Sequence, residues 1–76
     1  MNEIHQDIQD ELEYALQQHG EFLSIHEGMG VLQEEVYELW DAVRSDDLVD
    51  IYDEATQVAA MATKLMRYIR SIKPYI

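Results

Sequence analysis

Three glutamates in the middle of the chain have a spacing that suits a metal-binding site on helices. Glu35 and Glu38 lie three residues apart, which places them on the same side of a helix, about one turn from each other. Glu54 follows after fifteen intervening residues, and Gln57 lies three residues beyond it. Carboxylate oxygens are preferred ligands of Mg²⁺ and Mn²⁺, so the pattern predicts a site for a divalent cation.

The predicted position of these acids on their helices supports the same conclusion. With successive residues about 100° apart, Glu35 and Glu38 project at the edge of one apolar arc, and Glu54 projects into the middle of the next. A buried carboxylate is unfavourable unless it is protonated, paired with a base or bound to a cation. Arg44 is the only lysine or arginine before Lys64, so bases are scarce here. Two antiparallel helices can present such carboxylates to one shared cation.

Other charged residues leave alternatives open. Asp50 and Asp53 have the same three-residue spacing and are the second choice as ligands on this helix. Lys64 lies two turns beyond Gln57 on the same flank, where it is a candidate contact for an anionic substrate or stabilises the carboxyl end of its helix. An acidic run is also commonly a solvated helix face. We assign that role to three aspartates, Asp41, Asp46 and Asp47.

Apolar residues recur at helical spacing in the first half of the chain and predict two helices. The first runs from about Glu3 to His19, where Gly20 supplies a C-cap residue. Ser24 and Glu27 have the spacing of a capping box and open the second helix. We expect the second helix to end near Arg44.

A third helix is predicted to begin near Asp47 or Leu48, where an N-cap residue and first-turn acids are available. It continues to about Ile72, because Pro74 disfavours helical geometry at Lys73. No segment alternates with the period of a strand. The sequence therefore predicts an all-α protein, an antiparallel bundle of about three helices. The second helix contains two glycines, Gly28 and Gly30, which indicate either a close crossing with another helix or a later start of this helix.

The size and composition of the chain indicate how this fold is stabilised. With 76 residues it forms one domain, residues 1–76, whose single core is small. It contains no cysteine, so disulfides and zinc–thiolate sites are excluded. Metal binding and pairing with further copies remain as sources of stability, and we expect a homodimer or homotetramer.

The charge of the chain excludes some partners. Its formal net charge is −11, from sixteen acidic and five basic residues, which argues against a nucleic-acid-binding protein. The first residues do not show the basic start and apolar run of a secretion signal. No apolar stretch reaches the roughly 20 residues that are needed to cross a bilayer. We therefore expect no membrane partner and a cytoplasmic location.

The acidic elements resemble those of a known family. The segment Glu34-Glu35-Val-Tyr-Glu38 is similar to the Glu-Glu-x-x-Glu element of the MazG-like, all-α nucleoside triphosphate pyrophosphohydrolases. The second element of that family is Glu-x-x-Asp, and Glu54-Ala-Thr-Gln57 is its counterpart here. The following residues, Gln57-Val-Ala-Ala-Met-Ala, are similar to those of short, phage- or prophage-associated members. The resemblance covers roughly residues 19 to 69.

The resemblance implies an activity and a role for each acid. It implies Mg²⁺-dependent cleavage of a nucleoside triphosphate between its α and β phosphates, giving a nucleoside monophosphate and pyrophosphate, with Mn²⁺ as a substitute. Glu35, Glu38 and Glu54 are the implied metal ligands, together with Gln57, whose neutral amide replaces the family's aspartate. Glu34 is a candidate for positioning or deprotonating the attacking water, or for holding a second metal.

Two further functional interpretations stand beside the enzyme. Gln57 at the aspartate position favours a protein of the same fold without turnover. Such a protein would be a catalytically silent helical assembly or a module that binds a metal or a nucleotide. A DNA mimic would follow from net charge alone, but it would not explain inward-facing Glu35 and Glu54. Trp40 is interpreted as a core or subunit contact, with stacking on a nucleotide base as the alternative.

Overall fold

The protein is described over residues 3–76 by a computed structural model and consists of three α-helices. They are α1 (Ile4–His19), α2 (Ile25–Ser45) and α3 (Leu48–Ile72). No strand occurs in this part of the chain, so the all-α prediction is confirmed. None of these helices combines the length and the apolar character needed to span a bilayer.

The helix limits are set by the residues that the sequence predicts as caps. Gly20 ends α1 with a positive φ of 70°, and its N–H donates to the Leu16 carbonyl at 2.8 Å. At the start of α2, the Glu27 N–H donates to Ser24 Oγ at 3.0 Å, and Glu27 Oε1 accepts from the Leu23 N–H at 3.0 Å. The predicted Ser24 cap is therefore confirmed, whereas Glu27 accepts from the residue before the cap and not from Ser24 itself. The helix α2 begins before both of its glycines.

The turn between α2 and α3 is short and acidic. Asp46 ends α2 in the left-handed region, with φ 60° and ψ 26°. Asp47 caps α3, because its side chain accepts hydrogen bonds from the N–H groups of Val49 and Asp50. This turn makes α2 and α3 an antiparallel hairpin.

The third helix packs against both of the others. Its start is tied to α1 by a hydrogen bond from the Tyr52 hydroxyl to Asp7, and its end by the Arg67–Glu21 ion pair at 2.6 Å. The first contact lies near the amino-terminal ends of both helices and the second near their carboxyl-terminal ends, so α1 and α3 run parallel. Within residues 3–76, α1 and α2 do not pack directly on each other. Consecutive helices therefore run antiparallel, as the short connections predict, but α1 docks its apolar face on α3 and not on α2.

The core residues explain why α1 packs against α3. Leu12 and Ala15 of α1 pack with Ala60 and Met61 of α3, and Phe22 from the connecting segment closes the cluster. Ala60 is fully buried, at 0% exposure. A small side chain at this point allows the two helices to approach closely, which leaves α2 to pack on another side of α3.

The two helical glycines of α2 have different roles. A Cβ atom on Gly28 would lie 2.8 Å from Leu65 Cδ1 and 3.1 Å from the ring of Phe22, whereas Gly30 has open space around it. Gly28 therefore marks the close helix crossing that the sequence suggests. Gly30 marks neither a crossing nor a helix start.

The glycine pair gives a direct test of this packing. Both Gly28→Ala and Gly30→Ala gain up to about 1 kcal/mol of helix propensity, so the difference between the two variants isolates the packing effect. We expect Gly30→Ala to stabilise the protein and Gly28→Ala to be less stable than Gly30→Ala by about 1–3 kcal/mol, because Phe22 is buried and Leu65 must move. Urea unfolding measures both free energies. Equal stabilisation by the two substitutions would contradict the close crossing.

Candidate functional site

Three carboxylates from α2 and α3 form a single cluster. Glu35 and Glu38 lie one turn apart on α2, and Glu54 lies on the facing part of α3. One oxygen from each residue lies within 4.8 Å of the others. The antiparallel hairpin thus brings together the two acidic elements that are separated in the sequence, as the spacing of the glutamates predicts.

The inner part of this cluster is withdrawn from water. Glu35 and Glu54 are half-buried, whereas Glu38 is exposed at the outer edge. Oε2 of Glu35 and Oε2 of Glu54 are buried, and neither accepts a hydrogen bond from any residue that the structure describes. Buried carboxylate oxygens without a donor are unfavourable, so these two atoms lack the partner that their ionised state requires.

Burial and neighbouring acids raise the pKa of Glu35 from 4.5 to about 7. Loss of solvent around the carboxylate is the main cause. The negative charge of Glu38 and a hydrogen bond between the protonated carboxyl and Glu38 come next, and the charges of Glu54 and Glu11 add to them. Near neutral pH, Glu35 is therefore divided between its protonated and ionised forms. A positive charge placed in the cluster would shift this balance towards the carboxylate.

Glu54 is affected in the same direction. Burial is again the largest cause of its raised pKa, followed by the charges of Glu38 and Asp50. A hydrogen bond between the protonated carboxyl and Glu38 and the charge of Asp53 contribute less. Lys and Arg side chains make no ion pair with the cluster, since the two ion pairs within residues 3–76 are Arg44–Asp41 and Arg67–Glu21. The excess negative charge is therefore not balanced by a described protein base.

A divalent cation fits this set of atoms. The cluster offers oxygen ligands alone, which suit hard cations such as Mg²⁺ and Mn²⁺. Glu35 and Glu54 each hold an oxygen that lacks a hydrogen-bond donor, and Glu38 borders solvent, where a cation can keep part of its water shell. The residues present are therefore compatible with the metal that the spacing predicts.

A groove lies beside the cluster, between α1 and α2. Its volume is about 670 Å³, and α3 forms its floor with Gln57, Met61 and Lys64. The space exists because α1 and α2 pack on different sides of α3 and stay apart. Both walls carry acids and other polar groups. These are Glu11, Tyr14 and His19 from α1, and Glu27, Glu34 and Glu35 from α2.

Lys64 is the buried base of this groove. It is only 3% exposed, and its Nζ atom lies 4.3 Å from the centre of the Phe22 ring. A cation over an aromatic face is stabilised by the ring, but its hydrogen-bonding capacity is not used by that contact. Lys64 therefore places a positive charge on the groove floor, on the same helix as Glu54 and Gln57.

The remaining predicted ligands are Gln57, which lies beside the cluster, and Asp50 and Asp53, which lie around it. Gln57 is half-buried and lines the groove together with Glu35. Asp50 and Asp53 are exposed, yet lie near enough to Glu54 for their charges to raise its pKa. Of the described acids, only Glu35, Glu38 and Glu54 meet in one compact group, so Asp50 and Asp53 are outer neighbours in this structure.

Two other predicted residues have contrasting positions. Glu34 is exposed but lines the groove beside Glu35, which is compatible with a role at a bound ligand. Trp40 is 56% exposed and lies outside the set of groove-lining residues. The Arg44 guanidinium lies 6.0 Å from the centre of the Trp40 ring. Base stacking by Trp40 therefore has no support from the geometry of the groove.

The first helix contributes groove residues that the sequence reasoning missed. Glu11 lies close enough to Glu35 for its charge to raise that pKa, and Tyr14 lines the same wall with 60% of its surface exposed. Glu11 directly precedes the core residue Leu12, so it lies at the edge of an apolar arc, as Glu35 does. That criterion alone would have identified Glu11 as a candidate.

The raised pKa of Glu35 predicts a pH dependence of stability in the absence of metal. Below about pH 4.5 the carboxyl is protonated in both the folded and the unfolded state, so it adds no penalty. As the pH rises from 4.5 to about 7, the unfolded state loses this proton first, and the folded state loses stability. We expect Glu35→Gln to be about 1 kcal/mol more stable than the parent at pH 8, because water partly screens this carboxylate.

Urea unfolding between pH 4 and pH 8 in EDTA checks this expectation. The advantage of Glu35→Gln should fade towards pH 4, where the parent carboxyl is also neutral. Glu34→Gln is the matched control, since it removes the same charge from the adjacent exposed position outside the cluster. A difference between Glu35→Gln and the parent that stays constant with pH would contradict the assignment.

No protein-family model, curated protein or solved structure matches the chain significantly. The resemblance to the MazG-like proteins therefore rests on the two acidic elements themselves. The carboxylate cluster, its two unpartnered oxygens and the groove beside it are the observations from which a function can be inferred.

Proposed function

We propose that this chain is a Mg²⁺-dependent nucleoside triphosphate pyrophosphohydrolase, which adds water across the α–β phosphoanhydride bond and releases a nucleoside monophosphate and pyrophosphate. One observation carries the proposal. Glu35 and Glu54, each with a buried oxygen that has no hydrogen-bond donor, form a compact cluster with Glu38 at the edge of a groove. The order of these acids along the chain, which resembles that of the MazG-like proteins, supports the same activity.

The cluster residues would act by holding and positioning charge. Glu35, Glu38 and Glu54 would ligate the cation, with the Gln57 amide oxygen as a weaker neighbouring ligand. A divalent cation supplies positive charge that offsets the charge on the phosphate oxygens and favours deprotonation of water. Without such a cation, the like charges of the cluster and the triphosphate would repel each other.

The groove supplies the remaining contacts for a polyphosphate. Glu34 lines the wall next to the cluster, where its carboxylate is suited to orient the attacking water and accept its proton. Lys64 lies on the floor and can donate from its ammonium to a substrate oxygen. We expect the chain to act as a homodimer or homotetramer.

A second candidate function is favoured by one residue. Gln57 occupies the position at which the resembling family has aspartate, and its neutral amide attracts Mg²⁺ less strongly than a carboxylate. A catalytically silent module that binds a metal or a nucleotide without turning it over would retain the cluster and the groove. Turnover separates this candidate from the enzyme.

Pyrophosphate release provides the decisive measurement. The folded protein should release pyrophosphate from at least one member of a panel of canonical and modified (deoxy)nucleoside triphosphates with Mg²⁺ or Mn²⁺, and from none in EDTA. Glu38→Gln should lower the rate at least about 100-fold while helical content is unchanged, because one ligand is neutralised. Asp41→Asn is the matched control. It removes the same charge from α2 outside the cluster, breaks only an exposed ion pair and should stay active.

Each outcome of that experiment has a defined meaning. An active Glu38→Gln protein would overturn the assignment of the site. A folded parent protein that releases no pyrophosphate across the panel would reject the enzyme. Mg²⁺-dependent thermal stabilisation of that inactive parent, lost in Glu38→Gln, would then support the binding module.

Gln57→Asp tests the weakness of the second acidic element. Because it adds a charged oxygen ligand beside the cluster, we expect about ten-fold tighter binding of Mg²⁺ and a higher rate at limiting Mg²⁺. Titration of Mg²⁺ against thermal stability and turnover measures both effects. Gln17→Asp on the exposed surface of α1 adds the same charge and should leave them unchanged. Unaltered Mg²⁺ affinity in Gln57→Asp would place position 57 outside the metal site.

A further inference from the structure

The face of the α2–α3 hairpin opposite the groove is apolar and has no partner within residues 3–76. Its large exposed side chains include Met29 and Val36 of α2, and Leu48 and Met66 of α3, with 49, 37, 78 and 67% exposure. Between the helices lies a depression of about 470 Å³, lined largely by apolar side chains that include Leu32 and residues of α3. We call this surface the outer face.

Exposed apolar surface of this extent on a small domain marks an interaction site. Ile25 and Val43 extend it to both ends of α2, with 49 and 44% exposure. The positions 25, 29, 32, 36 and 43 recur at helical spacing, so the surface is one continuous stripe and not a set of scattered residues. An extended helical surface is the kind of partner that matches such a stripe.

The opposite surface does not suit self-association. The groove walls carry Glu11, Glu27, Glu34 and Glu35, and the exposed Glu38 lies at the edge of the cluster. Two such surfaces would bring many like charges together. Lys64 is the one lysine or arginine among the described residues that line the groove, and it is buried. Of the two sides of the hairpin, the outer face is therefore the one that favours association of two copies.

Charge is distributed along the outer face in a self-complementary way. Arg70 is exposed and borders the apolar depression near the carboxyl end of α3. Asp46 and Asp47 lie at the other end, where α3 begins. A two-fold axis repeats every contact in reverse, so an antiparallel pair of α3 helices places each Arg70 near the partner's acidic turn. The formal charges at both ends would then attract.

The register that pairs Asp47 with Arg70 also brings small residues together. The two-fold axis of this register passes between Val58 and Ala59, which lie at the midpoint of residues 47–70. Ala55 then lies opposite Ala62, so the crossing point is formed by side chains that allow helix axes to approach to about 8 Å. The separation of Asp47 and Arg70 is about 35 Å along a helix, close to the 39 Å length of the molecule. Both charged ends can therefore be matched at once.

We propose that a second copy of this chain docks on the outer face, giving a two-fold dimer in which the α3 helices cross antiparallel at Val58 and Ala59. In this dimer the two grooves face away from each other, so each remains open to its ligand. The carboxylate clusters are supported from behind by the partner. The inference does not depend on the proposed reaction, because it uses none of the groove residues.

Mass measurement by size-exclusion chromatography with light scattering tests the dimer. The parent should have twice the monomer mass of 8.9 kDa. Met66→Glu should raise the dissociation constant at least about thirty-fold, since it places a charge within an apolar interface. Tyr37→Glu adds the same charge at an exposed aromatic of α2 outside the outer face and should remain dimeric. Circular dichroism confirms that each variant is folded.

Cysteine cross-linking tests the register without disturbing the interface. The chain has no native cysteine, so Ala59→Cys introduces a single thiol close to the proposed axis. Mild oxidation should convert most of this variant to a covalent dimer, whereas Gln9→Cys on exposed α1 should remain largely unlinked. A monomeric parent at about 100 µM would overturn the proposal. So would a dimer that ignores Met66→Glu, or one in which Ala59→Cys links no better than Gln9→Cys.

Discussion

The close packing of α2 against α3 is the constraint on which the rest of the molecule depends. Small residues of α2 lie at this contact, since Gly28 and Ala42 are both buried. Close approach of the backbones fixes the hairpin, and the hairpin fixes how near Glu54 lies to Glu35 and Glu38. A wider separation would leave the same acids as unrelated surface charges. Packing of apolar and small side chains thus determines the chemistry of the cluster.

That geometry carries an electrostatic cost that the chain itself does not offset. Burial and like charges both raise the pKa of Glu35 and of Glu54. In a protein with 76 residues and a small core, a half-buried cluster of like charges removes a noticeable fraction of the free energy of unfolding. Retaining it is understandable when a ligand restores the balance, because binding to the folded state alone adds stability by mass action. The strain is therefore an argument for a cation and not only a consequence of packing.

Local signals account for most of what the sequence predicts correctly. Gly20, Ser24 with Glu27, and Asp47 each act through neighbouring backbone groups, so the helix limits could be read within one or two residues. The cluster could also be anticipated, because residues three apart share a helix face and the short turn at Asp46 makes the following helix antiparallel. Both inferences need only one helix or one turn.

Arrangements that depend on all three helices could not be read in this way. The choice of α3 as the partner of α1 depends on how Leu12 and Ala15 fit against Ala60, a contact across distant parts of the sequence. The groove follows from that choice. The burial of Lys64 depends on it too, because its Phe22 contact comes from the segment that joins α1 to α2. Helical periodicity gives the direction of a side chain but not the neighbour it meets.

The two sides of the α2–α3 hairpin have opposite physical requirements, and this separates ligand binding from association. A polyphosphate must reach Glu38 from solvent, so the groove side has to remain open and polar. A small core needs more apolar burial, which the outer face offers through residues such as Val36 and Met66. Because α3 lies between the groove and the outer face, one helix serves both. Pairing on the outer face would hold α3 in place, and with it the position of Glu54 in the cluster.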